Sequence, residues 1–162
     1  MSTIIHAYSG GRDREVANLI LSIQSGEAGL SLSVEDQPDL LDIASTYRDG
    51  GFWIAVDDSD TIVGTIGLLA YGCIGILKKF FVAAPFRGRG GPAFELLNDL
   101  LHRARELGMT DIVLDTPSVA TRSHAFYARN GFKPASPGEL PAGYRYHVRD
   151  SLLFRRHLGG SL

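Results

Sequence analysis

The chain has 162 residues, 44% of them hydrophobic and 21% charged, which suits one globular domain spanning 1–162 with its own core, rather than two. A net charge of −2 exerts no overall pull toward nucleic acid or an anionic membrane, and the apolar runs fall far short of the roughly 20 residues of a membrane-spanning helix. A single cysteine, Cys73, excludes an internal disulfide framework, and His6, His102, His124, His147 and His157 lack metal-ligand spacing, so no metal is expected.

The opening "MSTIIHAYSGG" has neither the basic start nor the long apolar middle of a secretory signal, so a cytoplasmic location is the expectation. Thr3 to Tyr8 reads as a short strand. Arg12 to Ser25 carries Val16, Leu19, Ile20 and Ile23 at helical spacing and stops at Gly26. After Pro38, residues Leu40, Leu41, Ala44 and Tyr47 predict a second, shorter helix. "FWIAV" (Phe52 to Val56), the turn from Asp57 to Asp60, and "IVGTIGLLAY" (Ile62 to Tyr71) form an antiparallel hairpin, and Ile74 to Val82 pairs beside it. A strongly amphipathic helix begins at Pro92, with Leu97, Leu100, Ala104 and Leu107 on one face and Phe94 also placed in the core; Trp53 is a core residue as well. Asp111 to Thr116 is a strand, Val119 to Asn130 a helix ended by Gly131, and strands follow near Phe132 and over Ser151 to Arg156. The order β-α-α-β-β-β-α-β-α-β-β predicts an α/β (α+β) fold with a mixed, mostly antiparallel sheet of six or seven strands flanked by about four helices.

Between the third strand of the hairpin region and the long helix stands "FRGRGGPA", Phe86 to Ala93. Glycines let backbone N–H groups approach an anion, and a helix N-terminus behind them adds its positive end. Gly88 to Ala93 also fits G-x-G-x-x-A, a variant of the dinucleotide fingerprint, although the preceding strands form a meander rather than a βαβ unit. "RGRGG" is similar to arginine-glycine RNA-binding segments, but stands as one copy between ordered elements, and an ordinary glycine-rich turn is the fourth reading.

Downstream, "HAFYARNGF" sets Phe126-Tyr127 on a helix ahead of Gly131-Phe132. Alone this is aromatic packing followed by a glycine stop. Together with the loop it resembles the GNAT superfamily of acyl-CoA-dependent N-acetyltransferases, which carries R/Q-x-x-G-x-G/A after its fourth strand and F-Y-x-x-x-G-F around its fourth helix. Arg87 to Pro92 matches the first pattern except at its last position, and Phe126 to Phe132 matches the second throughout. The resemblance implies that the chain uses acetyl-CoA as cosubstrate and a small-molecule or peptide amine as acceptor, with direct transfer between them. It implies that Arg87, Gly88, Arg89, Gly90, Gly91, Pro92 and Ala93 hold the pyrophosphate, while Phe80, Phe81 and Val82 run along the pantetheine arm, where two strands diverge. Pro92 removes one amide donor from that cradle, and Ala120 stands where the family often has asparagine. Pairing of two copies through C-terminal strands is common in the family, so a homodimer is a further expectation.

Three tasks follow for the chemistry: a neutral amine, a stabilised oxyanion and a protonated leaving thiolate. Tyr127, with an ordinary pKa near 10, stays protonated and is the acid by resemblance. Backbone N–H at Phe81 or Val82 is the oxyanion donor. The strand "IGILKK" offers no carboxylate, so Asp115, at a spacing from Tyr127 where some relatives carry their acid, is the candidate base; Glu35, Asp36 or a water chain are alternatives. The missing carboxylate leaves a non-catalytic acyl-CoA-binding module as the competing function. Lys78-Lys79 is read as one solvent-facing and one cofactor-edge charge, and His124 and His147 as surface or helix residues.

Overall fold

Alternating apolar runs become one seven-stranded sheet in the computed structural model, which describes residues 2–27, 29, 32–146 and 150–159. Chain order is β1 (Ile4–Ala7), α1 (Asp13–Gly26), α2 (Ile43–Thr46), β2 (Gly51–Val56), β3 (Ile62–Tyr71), β4 (Ile74–Val82), α3 (Ala93–Glu106), β5 (Asp111–Pro117), α4 (Thr121–Arg129), β6 (Lys133–Pro134) and β7 (Ser151–His157). In space the strands run β1-β2-β3-β4-β5-β7-β6. All neighbouring pairs are antiparallel except β4 and β5.

The expected mixed, mostly antiparallel sheet is therefore present; several boundaries move by a residue or so, and three differences have evident local reasons. The helix expected after Pro38 is cut at Asp42, whose extended backbone (φ −150) divides a 3-10 turn, Pro38–Leu41, from α2; its side chain accepts the Ser45 N–H at 3.2 Å. α4 starts at Thr121 rather than Val119, because Ala120 N–H donates to the Pro117 carbonyl at 3.0 Å and leaves Val119 exposed in a turn. α3 starts at Ala93, with Pro92 at the cap and its carbonyl accepting the Leu96 N–H at 2.9 Å.

The sheet buries both faces. Along β2, Trp53 and Ala55 join the core under α3 and α4, while Phe52, Ile54 and Val56 join the core under α1 and α2. Leu96, Leu97 and Leu100 of α3 are fully shielded, each side chain contributing about 1.5–3 kcal/mol by burial. Phe94 is not part of this core. It stands just past the edge of the stripe centred on Leu97, Leu100 and Ala104, and is 61% exposed.

β4 and β5 pair only at Ile74↔Asp111, Gly75↔Ile112 and Ile76↔Val113. At this closed base Gly75 leaves room for its neighbours, since a Cβ there would lie 2.7 Å from Leu68 Cδ1 and Met109 Sδ and would displace those side-chain ends. Beyond Ile76 the two strands part. β4 stays paired with β3 as far as Val82, and β5 with β7 as far as Pro117, so their facing edges are unpaired with one another.

Candidate active site

The opening of the sheet coincides with a bulge in β4. Gly67 faces Lys78 and Thr65 faces Phe81, so Lys79 and Phe80 together oppose Ile66. Lys79 adopts φ 52, and the Thr65 hydroxyl donates to its carbonyl at 2.7 Å. One extra residue shifts the strand's alternation: Leu77 packs into the α3 and α4 core, and so does Phe80 instead of Lys79. Lys78 already faces the opposite side by ordinary alternation, and the bulge turns Lys79 to that side as well. Neither is the solvent-facing charge expected from sequence; Lys79 Nζ donates to Gln37 Oε1 at 2.7 Å and lies 3.6 Å from Asp39, with its side chain 10% exposed. Burial lowers its pKa, against the opposing pull of Asp39. Gln37 is itself locked by a reciprocal amide pair with Gln24, at 3.0 and 2.8 Å.

From Val82 the chain enters the glycine loop through a 3-10 turn, Ala84–Phe86. Arg87 Nε donates to the Val82 carbonyl at 2.7 Å, and its two terminal nitrogens grip Glu27, one of them at 2.8 Å. Those hydrogen bonds hold the Glu27 carboxyl below its ordinary range, with Arg122 of α4 adding a weaker attraction. Arg89 is exposed and makes no ion pair among the described residues. Gly88 and Gly90 take φ 89 and φ 84, a conformation that side chains resist. At Gly91 a Cβ would sit 2.0 Å from the Phe86 carbonyl oxygen. The Gly91 N–H is taken up by the Gly88 carbonyl at 3.0 Å, and Pro92 has none. The donors left for an anion are those of Gly88, Arg89 and Gly90 with the first-turn amides from Ala93 onward. Open space beside Gly88 and Gly90 fits close approach of a phosphate to the backbone.

On the far side of the gap, α4 places Tyr127 against four aromatic rings: Phe80, Phe126, Phe132 and Phe154, at centroid distances of 6.2, 6.2, 5.4 and 5.8 Å. The residue is 5% exposed, and its hydroxyl makes no hydrogen bond among the described residues although it is not sealed from solvent. Burial, and then the Asp115 charge, push its pKa well above the ordinary tyrosine value, which keeps the phenol protonated. Phe80 spans the gap from β4, edge-on to Phe126 at 5.5 Å. Phe81 turns to the α1 and α2 core, and Val82 is buried on the α3 side.

Asp115 on β5 accepts the Tyr144 hydroxyl at 2.5 Å. Lys78 Nζ donates to that same hydroxyl at 3.4 Å and lies 5.5 Å from the ring centroid. Tyr47 in turn donates to Asp39 at 2.7 Å. Burial raises the pKa of both tyrosines, reinforced in each case by the neighbouring carboxylate. Asp39, Tyr47, Lys78 and Tyr144 border a cleft of about 480 Å³, together with Pro38 and Tyr71 among others, and Asp115 stands behind Tyr144. The acidic residues read from "SVEDQ" do not supply its carboxylate. Glu35 is exposed, and Asp36 accepts the Ser33 N–H and hydroxyl within its own turn at 2.9 and 3.0 Å. The 3-10 turn that follows brings Asp39 instead. His124 donates from Nε2 to the Pro117 carbonyl at 2.9 Å, a local helix-end role; His147 lies outside the described residues.

A sheet that opens beyond a three-residue parallel base, a glycine loop feeding a helix, and a tyrosine across the gap are joined by a sequence match. The model described as "Acetyltransferase (GNAT) family" matches residues 18–132. The chain belongs to the GNAT family. Human N-acetyltransferase 8 is 31% identical over 132 residues, covering 76% of this chain and 57% of the human protein. The chain spans about half the length of the curated relatives it matches. Among solved structures, a GNAT acetyltransferase from Staphylococcus aureus superposes with a TM-score of 0.90 at 30% identity, over 98% of this chain and 100% of that one. N-acetylglutamate synthase from Neisseria gonorrhoeae, solved with coenzyme A and N-acetyl-glutamate, shares the fold: TM-score 0.74, 23% identity, 98% of this chain and 36% of that one.

Within the GNAT frame, the two sequence motifs come to opposite walls of the gap. No motif marks Gln37, Asp39, Tyr47 or Tyr144 individually; Gln37 and Tyr144 fall in the segments Gly26 to Gln37 and Lys133 to Tyr146, on which the acceptor is expected to depend, and Asp39 and Tyr47 lie outside them. The only local signal was the paired Lys78-Lys79 on an otherwise apolar strand.

Proposed function

We propose that this chain transfers an acetyl group from acetyl-CoA directly to a primary amine, with both substrates bound at once. The observation that carries the reading is the open edge of β4 beyond Ile76, flanked by the glycine loop on one side and by the free Tyr127 hydroxyl on the other. That edge suits an extended arm lying like an added strand. The loop amides of Gly88, Arg89, Gly90 and Ala93 suit a pyrophosphate, and Arg89 adds charge with no ion pair among the described residues.

Acetyl-CoA supplies the thioester carbonyl at which a C–N bond forms as the C–S bond breaks. An amine arriving as ammonium has one proton to lose before attack and one after it. Asp115 takes the first through the oxygen not held by Tyr144 and passes it to solvent. Tyr144, its pKa raised, serves as a donor that fixes the carboxylate rather than as a base. A backbone N–H at Phe81 or Val82 faces the developing oxyanion. Tyr127 gives its proton to the departing sulfur and is reprotonated by the second amine proton, so amide, thiol and one released proton balance the reaction.

The test is thiol release from acetyl-CoA with a panel of amines, alongside thermal melting with coenzyme A. Coenzyme A at 100-fold its Kd adds about 2.7 kcal/mol to stability; no rise in Tm would remove the cofactor reading. Tyr127→Phe lowers kcat about 100-fold with a good acceptor, and undiminished turnover refutes the acid role. Tight binding without transfer to any amine would instead make the chain an acyl-CoA-binding module.

A further inference from the structure

The acceptor cleft carries charge that acetyl transfer itself does not use. Its carboxylate Asp39 is already balanced, facing Lys79 at 3.6 Å and accepting the Tyr47 hydroxyl at 2.7 Å. Asp115 lies behind the Tyr144 hydroxyl. Lys78 has no carboxylate within ion-pair distance among the described residues; its ammonium meets only the hydroxyl and ring of Tyr144. Arg145 lines the same cleft, is exposed, and makes neither a hydrogen bond nor an ion pair among the described residues. Two unmatched cations therefore border a hollow that also offers an apolar and aromatic wall, with Tyr71 edge-on to Tyr144 at 5.9 Å and Leu69 beside them.

Polyamines and other multiply cationic acceptors are repelled by this arrangement. A simple amine leaves Lys78 unmatched in a half-buried site, where a pairing charge is screened less than on an open surface. An anionic group on the acceptor satisfies Lys78 and Arg145 together, and tyrosine faces receive a flat or apolar side chain. Because the Tyr144 hydroxyl touches both Lys78, at 3.4 Å, and Asp115, at 2.5 Å, the cation and the proposed base lie no farther apart than those two contacts allow. That short separation suits a carboxylate and an amine carried on the same carbon.

Resting on the acetyltransferase reading above, we propose that the acceptor is an α-amino acid with an aromatic or large apolar side chain, its carboxylate held by Lys78 and Arg145 and its amino group turned toward Asp115. The test uses the full chain, acetyl-CoA and matched acceptor pairs: phenylalanine against phenethylamine, tryptophan against tryptamine, with spermidine as the cationic competitor. The amino acids are expected to exceed their decarboxylated partners by about tenfold or more in kcat/KM. Lys78→Met is expected to raise KM for the amino acids and bring each ratio toward one, whereas Lys78→Arg, which keeps the charge, retains most of the preference. Decarboxylated amines or spermidine turning over as well as the amino acids would overturn the proposal, as would a ratio unchanged in Lys78→Met. The wild-type ratio needs no variant, so misfolding of a mutant leaves the test intact. Thiol release only with acceptors lacking a carboxylate sinks this inference alone; no thiol release with any amine and no rise in Tm with coenzyme A sinks the acetyltransferase reading and this one with it.

Discussion

Two aspartates on β5, Asp111 and Asp115, point to the same side of one strand and live in opposite circumstances. Asp111 sits at the closed base of the β4–β5 seam, where Arg155 Nε donates to it at 2.9 Å, the Thr110 hydroxyl at 2.8 Å and His157 Nδ1 at 3.2 Å. Burial alone would raise its pKa, yet these donors outweigh burial and bring the carboxyl down to about 2. Asp115 sits where the seam has opened and receives one tyrosine hydroxyl. A carboxylate whose lone pairs are filled by an arginine and further donors holds strands together; one with an oxygen that no described residue occupies, beside a gap, can accept a proton. Partner count, more than residue type, distinguishes the two carboxylates.

The largest expected effect breaks the comparison at its open end. Asp115→Asn should lower kcat/KM about 1,000-fold with thermal stability little changed, measured by thiol release and melting on the same sample. A variant retaining full turnover would return the base to water. At the closed end the expectation reverses. Asp111→Asn should cost about 2 kcal/mol of stability at neutral pH, the equivalent of the drop from 3.8 to about 2, with kcat changed far less than in the Asp115 variant. Because the folded pKa is depressed, that stabilisation is complete above the unfolded value near 3.8 and is lost as pH falls toward 2, so wild type and variant should converge in acid denaturation curves over that window. The smallest effect sharpens the open end: Pro92→Ala restores one amide to the cradle and should tighten coenzyme A by up to about fivefold in calorimetry, the worth of one hydrogen bond of about 1 kcal/mol.

The two ends also differed in how far the sequence revealed them. Strand and helix order came through because alternation and helical spacing are local, and Ile62–Tyr71 and Ile74–Val82 match their expected limits. The loop and "FYARNGF" were readable for the same reason. Lys78-Lys79 misled because a bulge shifts the alternation without altering composition, and it is fixed by Thr65, fourteen residues away in the chain. Asp39 and Tyr144 reach the cleft through tertiary folding alone. Phe94 fits a helical wheel about as well as Leu101 does, yet in the fold Leu101 is covered and Phe94 is not.

The parted seam has one more consequence. Strand edges with free amides and carbonyls invite other chains to add on, and proteins usually blunt them with charge, proline or a covering element. Here two such edges lie inside the sheet, protected by shape: they diverge from the fixed base at Ile76 and Val113, so any intruder must enter a wedge with a closed apex. To admit a single extended arm the wedge must reach roughly twice the ~4.8 Å spacing of paired strands. A full foreign strand, with side chains on both faces, would meet Phe80 and Phe126 across the opening. A gap that would admit a thin, side-chain-free arm would by the same narrowness be expected to keep foreign strands from adding to the centre of the sheet.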